Sequence, residues 1–194
     1  VLDITLREKV LGLDLFSYFY SRKWDISWLL SEEIELWQEN SRKQCDIAPG
    51  EYEVIFSPAA ISRILDAIFV PAICGMLPEV CDRISSPELL PPWLEIYDDG
   101  TLEGGMGTEP FDDEGVAQQK THVIEKGCFA SILCDTTLAR AYGKKSTGNS
   151  VRESFGNAPV VYVTNLIISP VSGTEELINE IVNGIVIDDL MGAY

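Results

Sequence analysis

The run from Glu109 to Asn149 constrains the fold more than any other stretch of this 194-residue chain. It opens with an acidic turn, Phe111-Asp112-Asp113-Glu114-Gly115, and closes with polar Ser146-Thr147-Gly148-Asn149. Between them, Lys120–Glu125 and Cys128–Cys134 alternate with the period of two that places successive side chains on opposite faces of a strand. Only Lys126-Gly127 separates the two segments, and so short a connection forces an antiparallel β-hairpin. Asp135 then offers an N-cap for a short helix, Thr136–Tyr142, with Gly143 as its stop. A chain with this centre must build an antiparallel sheet and cover one side of it.

The flanking segments supply further strands and the cover. Residues 14–30 are crowded with aromatics and read as an extended or irregular segment. Ser31 caps a helix predicted through about Arg42, with Glu32 and Glu33 in the first turn, where carboxylates suit the helix dipole. Pro49-Gly50 breaks that pattern, and Glu51–Phe56 reads as a strand entering the core. Ser57-Pro58 starts a helix whose buried face is marked by Ile61, Ile64, Leu65 and Ile68, and Pro71 is expected to end or kink it. Four of the ten prolines fall in 78–92, predicting a surface loop. Trp93–Tyr97 reads as a strand closed by the turn Asp98-Asp99-Gly100. The polar stretch Lys144–Pro159 reads as a long loop, and the apolar run Val160–Ile168 as a central strand. Thr174–Val182 and Ile185–Ile187 complete the pattern as a helix and a strand. The expected class is α+β: a mixed, mostly antiparallel sheet with a few packed helices.

The ordered set of FDDEG turn, strand pair, helix and STGN loop resembles the C-terminal domain of the TldD/PmbA family, also called modulator of DNA gyrase. With the asparagine-bearing strand, the EELI helix at Glu175–Ile178 and the glycine-led strand after it, the resemblance covers residues 49–194. The expected organisation is an N-terminal helical or irregular segment, 1–48, followed by a TldD/PmbA-like domain, 49–194. Val1 in place of a methionine points to a further N-terminal part. The resemblance places one more cysteine ligand beyond Tyr194, so the domain is expected to be incomplete at its C-terminal end.

Catalytic members, as the resemblance implies, carry a helix with His-Glu and a second His five residues after the first. Two imidazoles on such a helix hold zinc while the glutamate activates a bound water. Counted from Pro58, those places fall on Asp66, Ala67 and Pro71. An aspartate alone is a solitary ligand, an alanine moves no proton, and a proline has no ligand atom. No metal or other cofactor is therefore expected in this chain, and zinc is expected in a partner subunit. His122 is the only histidine, and it reads as an ordinary strand residue in the alternating run Thr121–Ile124. Cys45, Cys74, Cys81, Cys128 and Cys134 are odd in number and contain no C-x-x-C pair, which argues against a disulfide framework and a zinc knuckle alike.

Two further clusters invite chemistry. Gly104-Gly105-Met106-Gly107 lacks the lysine of a phosphate-binding loop and the spacing of a dinucleotide fingerprint. Asp112, Asp113 and Glu114 are the densest carboxylates, yet adjacent residues diverge and a calcium loop spaces its ligands over about twelve positions. The expected role of Asp112, Asp113, Glu114 and Gly115 is a structural turn, Gly115 permitting a positive φ.

Thirty-one acidic against fourteen basic residues give a net charge of −17, which repels a nucleic acid backbone. No apolar run is long enough to span a bilayer, and the N-terminus lacks a signal pattern, so the expected location is cytoplasmic. The functional expectation is a metal-free, PmbA-like subunit that helps enclose unfolded peptide for a zinc-bearing, TldD-like partner, or that forms a homo-oligomer. Thr147, Gly148, Asn149 and Asn165 are the candidate peptide contacts. A stand-alone peptide-binding protein, or a hydrolase using Asp112 to Glu114, are the alternatives.

Overall fold

The computed structural model describes residues 2–10, 13–21, 47–74, 90–169, 181–187 and 190. The chain divides into two units, Val1–Glu51 and Tyr52–Tyr194. In the first, β1 (Leu2–Val10) pairs antiparallel with β2 (Leu13–Ser21), from Leu2 opposite Ser21 to Val10 opposite Leu13. A hairpin therefore opens the stretch read as helical or irregular. Its signal is the alternation of Leu2, Ile4 and Leu6 with Asp3, Thr5 and Arg7, a period of two that suits a strand. The helix predicted from Ser31 lies outside the described residues.

The second unit is built on an antiparallel four-stranded sheet in the order β6-β5-β4-β9. Its strands are β4 (Ile96–Asp99), β5 (Lys120–Glu125), β6 (Cys128–Phe129) and β9 (Leu166–Ile168). Lys126 and Gly127 both take positive φ, 51° and 73°, so the hairpin turns through the mirror-image geometry that matches strand twist. Strand β6 is shorter than the alternation of 128–134 suggests, because the backbone beyond it bonds elsewhere. Leu133 N–H donates to Ile73 O at 2.8 Å, and Cys134 N–H donates to Thr147 Oγ1 at 2.8 Å. Two other pairs flank the sheet: β3 (Glu53–Phe56) lies parallel to β10 (Gly184–Ile187), and β7 (Ser150–Val151) antiparallel to β8 (Val160–Val161). The described sheets are thus mixed and mostly antiparallel, as an α+β domain requires.

Helix α1 (Pro58–Ile64) begins where expected, with Ser57 Oγ accepting from Ala60 N–H at 3.1 Å and proline in the first turn. Pro71 does not end this helix. A π-helical stretch, Leu65–Phe69, intervenes and α2 (Val70–Ile73) carries the axis past the proline. Pro71 has no N–H to give Ala67 O and its ring crowds that carbonyl, so the wider turn before it relieves the clash. Ile73 then enters the core with Ile96, Val123, Ile124 and Leu133, against which Phe69, Leu94, Val161 and Leu166 pack. Asp135 caps α3 (Thr136–Ala141), its Oδ1 accepting from Leu138 N–H at 2.7 Å, and Gly143 follows with φ 63°.

Two sequence expectations change. Val160–Ile168 is not one central strand: it divides into β8 and β9, and β9 is an end strand of the described sheet. Lys144–Pro159 is not wholly loop, since it contains β7 and the buried residues 147–150. The helix expected at Thr174–Val182 lies outside the described residues except Ile181 and Val182, which are not helical. Among the described residues no helix is long and apolar enough to cross a membrane.

Candidate functional site

The centre of the second unit is a buried carboxylate. Asp98 ends the inner part of β4 and is 1% exposed, where an unsatisfied charge would cost several kcal/mol (order of magnitude). Thr164 donates its N–H to Oδ1 and its hydroxyl to Oδ2, both at 2.8 Å. Asn149, also 1% exposed, donates its side-chain N–H to Oδ2 at 2.7 Å and to Tyr162 O at 3.1 Å. These bonds bend the 160–168 segment away from β8 and return it to the sheet as β9. Asp98 had read as a turn residue, and the real turn starts one step later: Asp99 Oδ1 accepts from Thr101 N–H at 2.9 Å and from its hydroxyl at 2.6 Å.

The acidic turn is bonded to the same region. Asp112 Oδ1 accepts from Glu114 N–H at 3.0 Å and Val116 N–H at 2.9 Å, while Oδ2 accepts from Ser150 N–H at 3.1 Å. Asp113 accepts from Arg152 N–H at 2.6 Å. Glu114 receives the N–H and the hydroxyl of Thr136 at 2.9 and 2.8 Å, where α3 starts. Each carboxylate therefore meets backbone or hydroxyl donors, and the turn joins β7 and α3 to the hairpin. Gly115 takes φ 79° within it.

Thr147 and Asn149 are buried and internally bonded. Thr147 Oγ1 accepts from Cys134 N–H and donates to Cys134 O at 3.1 Å. Gly148 has φ 74°, and a Cβ there would lie 2.5 Å from Ala117 O. Asn165 fastens the glycine-rich loop: it donates to Asp99 O at 2.8 Å and Thr108 Oγ1 at 3.0 Å, and accepts from Gly107 N–H at 3.0 Å. A Cβ on Gly107 would stand 2.2 Å from Thr164 O, so glycine is needed for that approach. The side chains of Thr147, Asn149 and Asn165, named as candidate peptide contacts, are thus hydrogen-bonded within the fold.

Asp66 and Ala67 lie in the π-helical stretch and are exposed, and Pro71 follows in α2. One carboxylate with two residues lacking ligand atoms does not suit zinc, which takes at least three protein ligands. Among the described residues no group of three histidine, cysteine or acidic side chains is placed to hold a metal ion. Close by, burial and then the Asp98 charge push the Cys74 thiol up to about 12. Burial, followed by the charges of Asp66 and Cys74, raises the Tyr162 phenol. His122 sits in β5 opposite Tyr97, with ring centres 5.5 Å apart, while Lys120 Nζ lies 3.4 Å from the centre of the Tyr97 ring.

An antiparallel four-stranded sheet, a few short helices and a buried polar clasp at Asp98 define the class: an α+β domain. The chain belongs to the TldD/PmbA family, because residues 49–194 match the PmbA/TldA metallopeptidase C-terminal domain. A metalloprotease TldD homolog of Buchnera aphidicola is 40% identical over 91 residues, covering 46% of this chain and 19% of that protein. A metalloprotease PmbA homolog of Buchnera aphidicola is 34% identical over 105 residues, covering 54% and 22%. The matched part is thus about a fifth of the length of these curated relatives. TldE from Thermococcus kodakarensis shares the fold, with a TM-score of 0.73 at 23% identity over 98% of this chain and 45% of that one. A Thermotoga maritima protein described as a candidate modulator of a DNA gyrase gives 0.68 at 25% identity, over 94% and 48%.

Proposed function

We propose that this chain is a metal-free, PmbA-like subunit of a TldD/PmbA-type peptidase, pairing with a zinc-bearing, TldD-like subunit and helping to enclose unfolded peptide. The observation that carries the reading is the donor set on the α1–α2 helix: Asp66, Ala67 and Pro71, which the resemblance sets against the two histidines and the glutamate, offer a single carboxylate between them. Hydrolysis then falls to the partner, and this chain contributes a wall. In that wall Asn149 holds the end of β8, Asn165 holds the Gly104–Thr108 loop, and Thr147, next to Gly148, ties this stretch to Cys134, so that peptide meets main chain rather than these side chains. Elemental analysis of untagged protein, followed by native mass spectrometry of the co-purified complex, tests the proposal. No stoichiometric zinc in the isolated chain, and a second subunit that brings one, are expected. One tightly held zinc per copy of this chain would overturn it.

A further inference from the structure

The β7–β8 pair has two unlike faces. Ser150 is buried and Val161 packs on the core, whereas Val151, its cross-strand partner Val160, and Tyr162 are 36%, 54% and 47% exposed. Cross-strand partners share a face, and residues two apart along a strand do likewise. The pairing continues to Tyr162, whose N–H donates to Asn149 O at 3.0 Å, so the three side chains form one outward apolar strip. At its far end the connecting loop presents Phe155 fully to solvent. That loop is braced by Arg152 Nη1 donating to Asn157 O at 3.2 Å and by Asn157 N–H donating to Ser154 O at 3.1 Å.

The surroundings of the strip are acidic. Asp113 and Glu153 are exposed beside the loop, and exposed Asp66 acts on Tyr162 at the other end. Arg152 is the basic residue in this loop, and its guanidinium is held to Asn157 O. A second copy would bring the same acids, and a net charge of −17, against this rim. A ligand of complementary charge would not. We infer that the outer face of β7–β8 is a side-chain subsite for an extended peptide segment that alternates apolar residues with lysine or arginine. The inference rests on the peptide-enclosing role proposed above and adds a substrate preference to it.

Fluorescence anisotropy with labelled ten-residue peptides tests this on the full chain and, separately, on its co-purified complex. The probes alternate valine with lysine, valine with glutamate, and serine with lysine. The valine–lysine peptide is expected to bind at least about tenfold more tightly than either of the others, a difference of about 1.4 kcal/mol. Val160→Ser and Tyr162→Ala are expected to remove that advantage over the serine–lysine peptide. Asp66→Asn with Glu153→Gln is expected to weaken its binding and flatten its salt dependence. Equal binding of the valine–lysine and serine–lysine peptides reports only attraction to an acidic chain and overturns the subsite. No binding, or binding unaffected by Val160→Ser and Tyr162→Ala, also overturns it. So does self-association that Val160→Ser abolishes, since a second copy would then be the occupant. Zinc content and subunit pairing are read independently, so the subsite and the metal-free role fail separately.

Discussion

Asn149 donates a 2.7 Å hydrogen bond to Asp98 from 51 positions away in the chain, and both side chains are sealed from solvent. That bond joins the Ser146–Asn149 stretch to the central sheet, with Thr164 completing the carboxylate's shell. Asn149→Ala should therefore leave a buried charge short of one donor and lower the unfolding free energy by about 3 kcal/mol. Urea unfolding followed by tryptophan fluorescence measures it. A loss below about 0.5 kcal/mol, the scale of ordinary surface substitutions, would show that the clasp does not hold the fold.

The acidic turn should separate stability from chemistry. Asp112→Asn turns at least one acceptor oxygen into a donor facing a backbone N–H, and a loss of about 2 kcal/mol is expected. Glu114→Gln, at a more exposed contact, should cost about 1 kcal/mol or less. Thermal melts are compared with peptide cleavage by the reconstituted complex. A variant with unchanged stability and assembly but no cleavage would make the cluster catalytic.

Glycine substitutions provide an internal control. Gly148→Ala meets Ala117 O at 2.5 Å and must also hold a positive φ, so about 2 kcal/mol or more should be lost. Gly143→Ala has a similar φ but nothing within 4 Å, and about 1 kcal/mol is expected. Equal effects in denaturant titrations would remove the close packing of the 146–150 stretch from the account.

Cys74 should give stability a dependence on alkaline pH. Its thiol is raised from 9.0 to about 12, so below pH 9 folded and unfolded chains are both protonated there and the site contributes its full relative stability. From pH 9 to about 12 the unfolded chain ionises first, and that stability is lost. Comparing wild type with Cys74→Ala across this range isolates the effect. At pH 8, a thiol reagent should label exposed Cys128 well before Cys74, and the reverse order would contradict the burial.

The elements legible in the sequence are those whose signals are local. Lys126-Gly127 set the hairpin because two adjacent residues had to take positive φ, and Ser57-Pro58 and Asp135 capped their helices within three residues. The acidic turn before Gly115 was visible for the same reason. The motif at Asp66, Ala67 and Pro71 could be read by counting alone, because a missing ligand atom is a property of residue type. What the sequence by itself determined, then, is the class of fold and the family resemblance.

Tertiary structure decided the rest. Asp98 followed by Asp99-Gly100 looks like a turn, and only donors 51 and 66 positions away keep Asp98 inside a strand. The polar 147–150 stretch looks like a surface loop, and it is buried where Cys134, Asp98 and Asp112 take hydrogen bonds from or to it. Val160–Ile168 looks like one strand, and Thr164 bends it by turning its N–H to a carboxylate. Polarity predicts exposure only when water is the available partner. Where the fold brings a buried acceptor to a polar residue, the hydrogen bond formed across the chain outweighs the local preference.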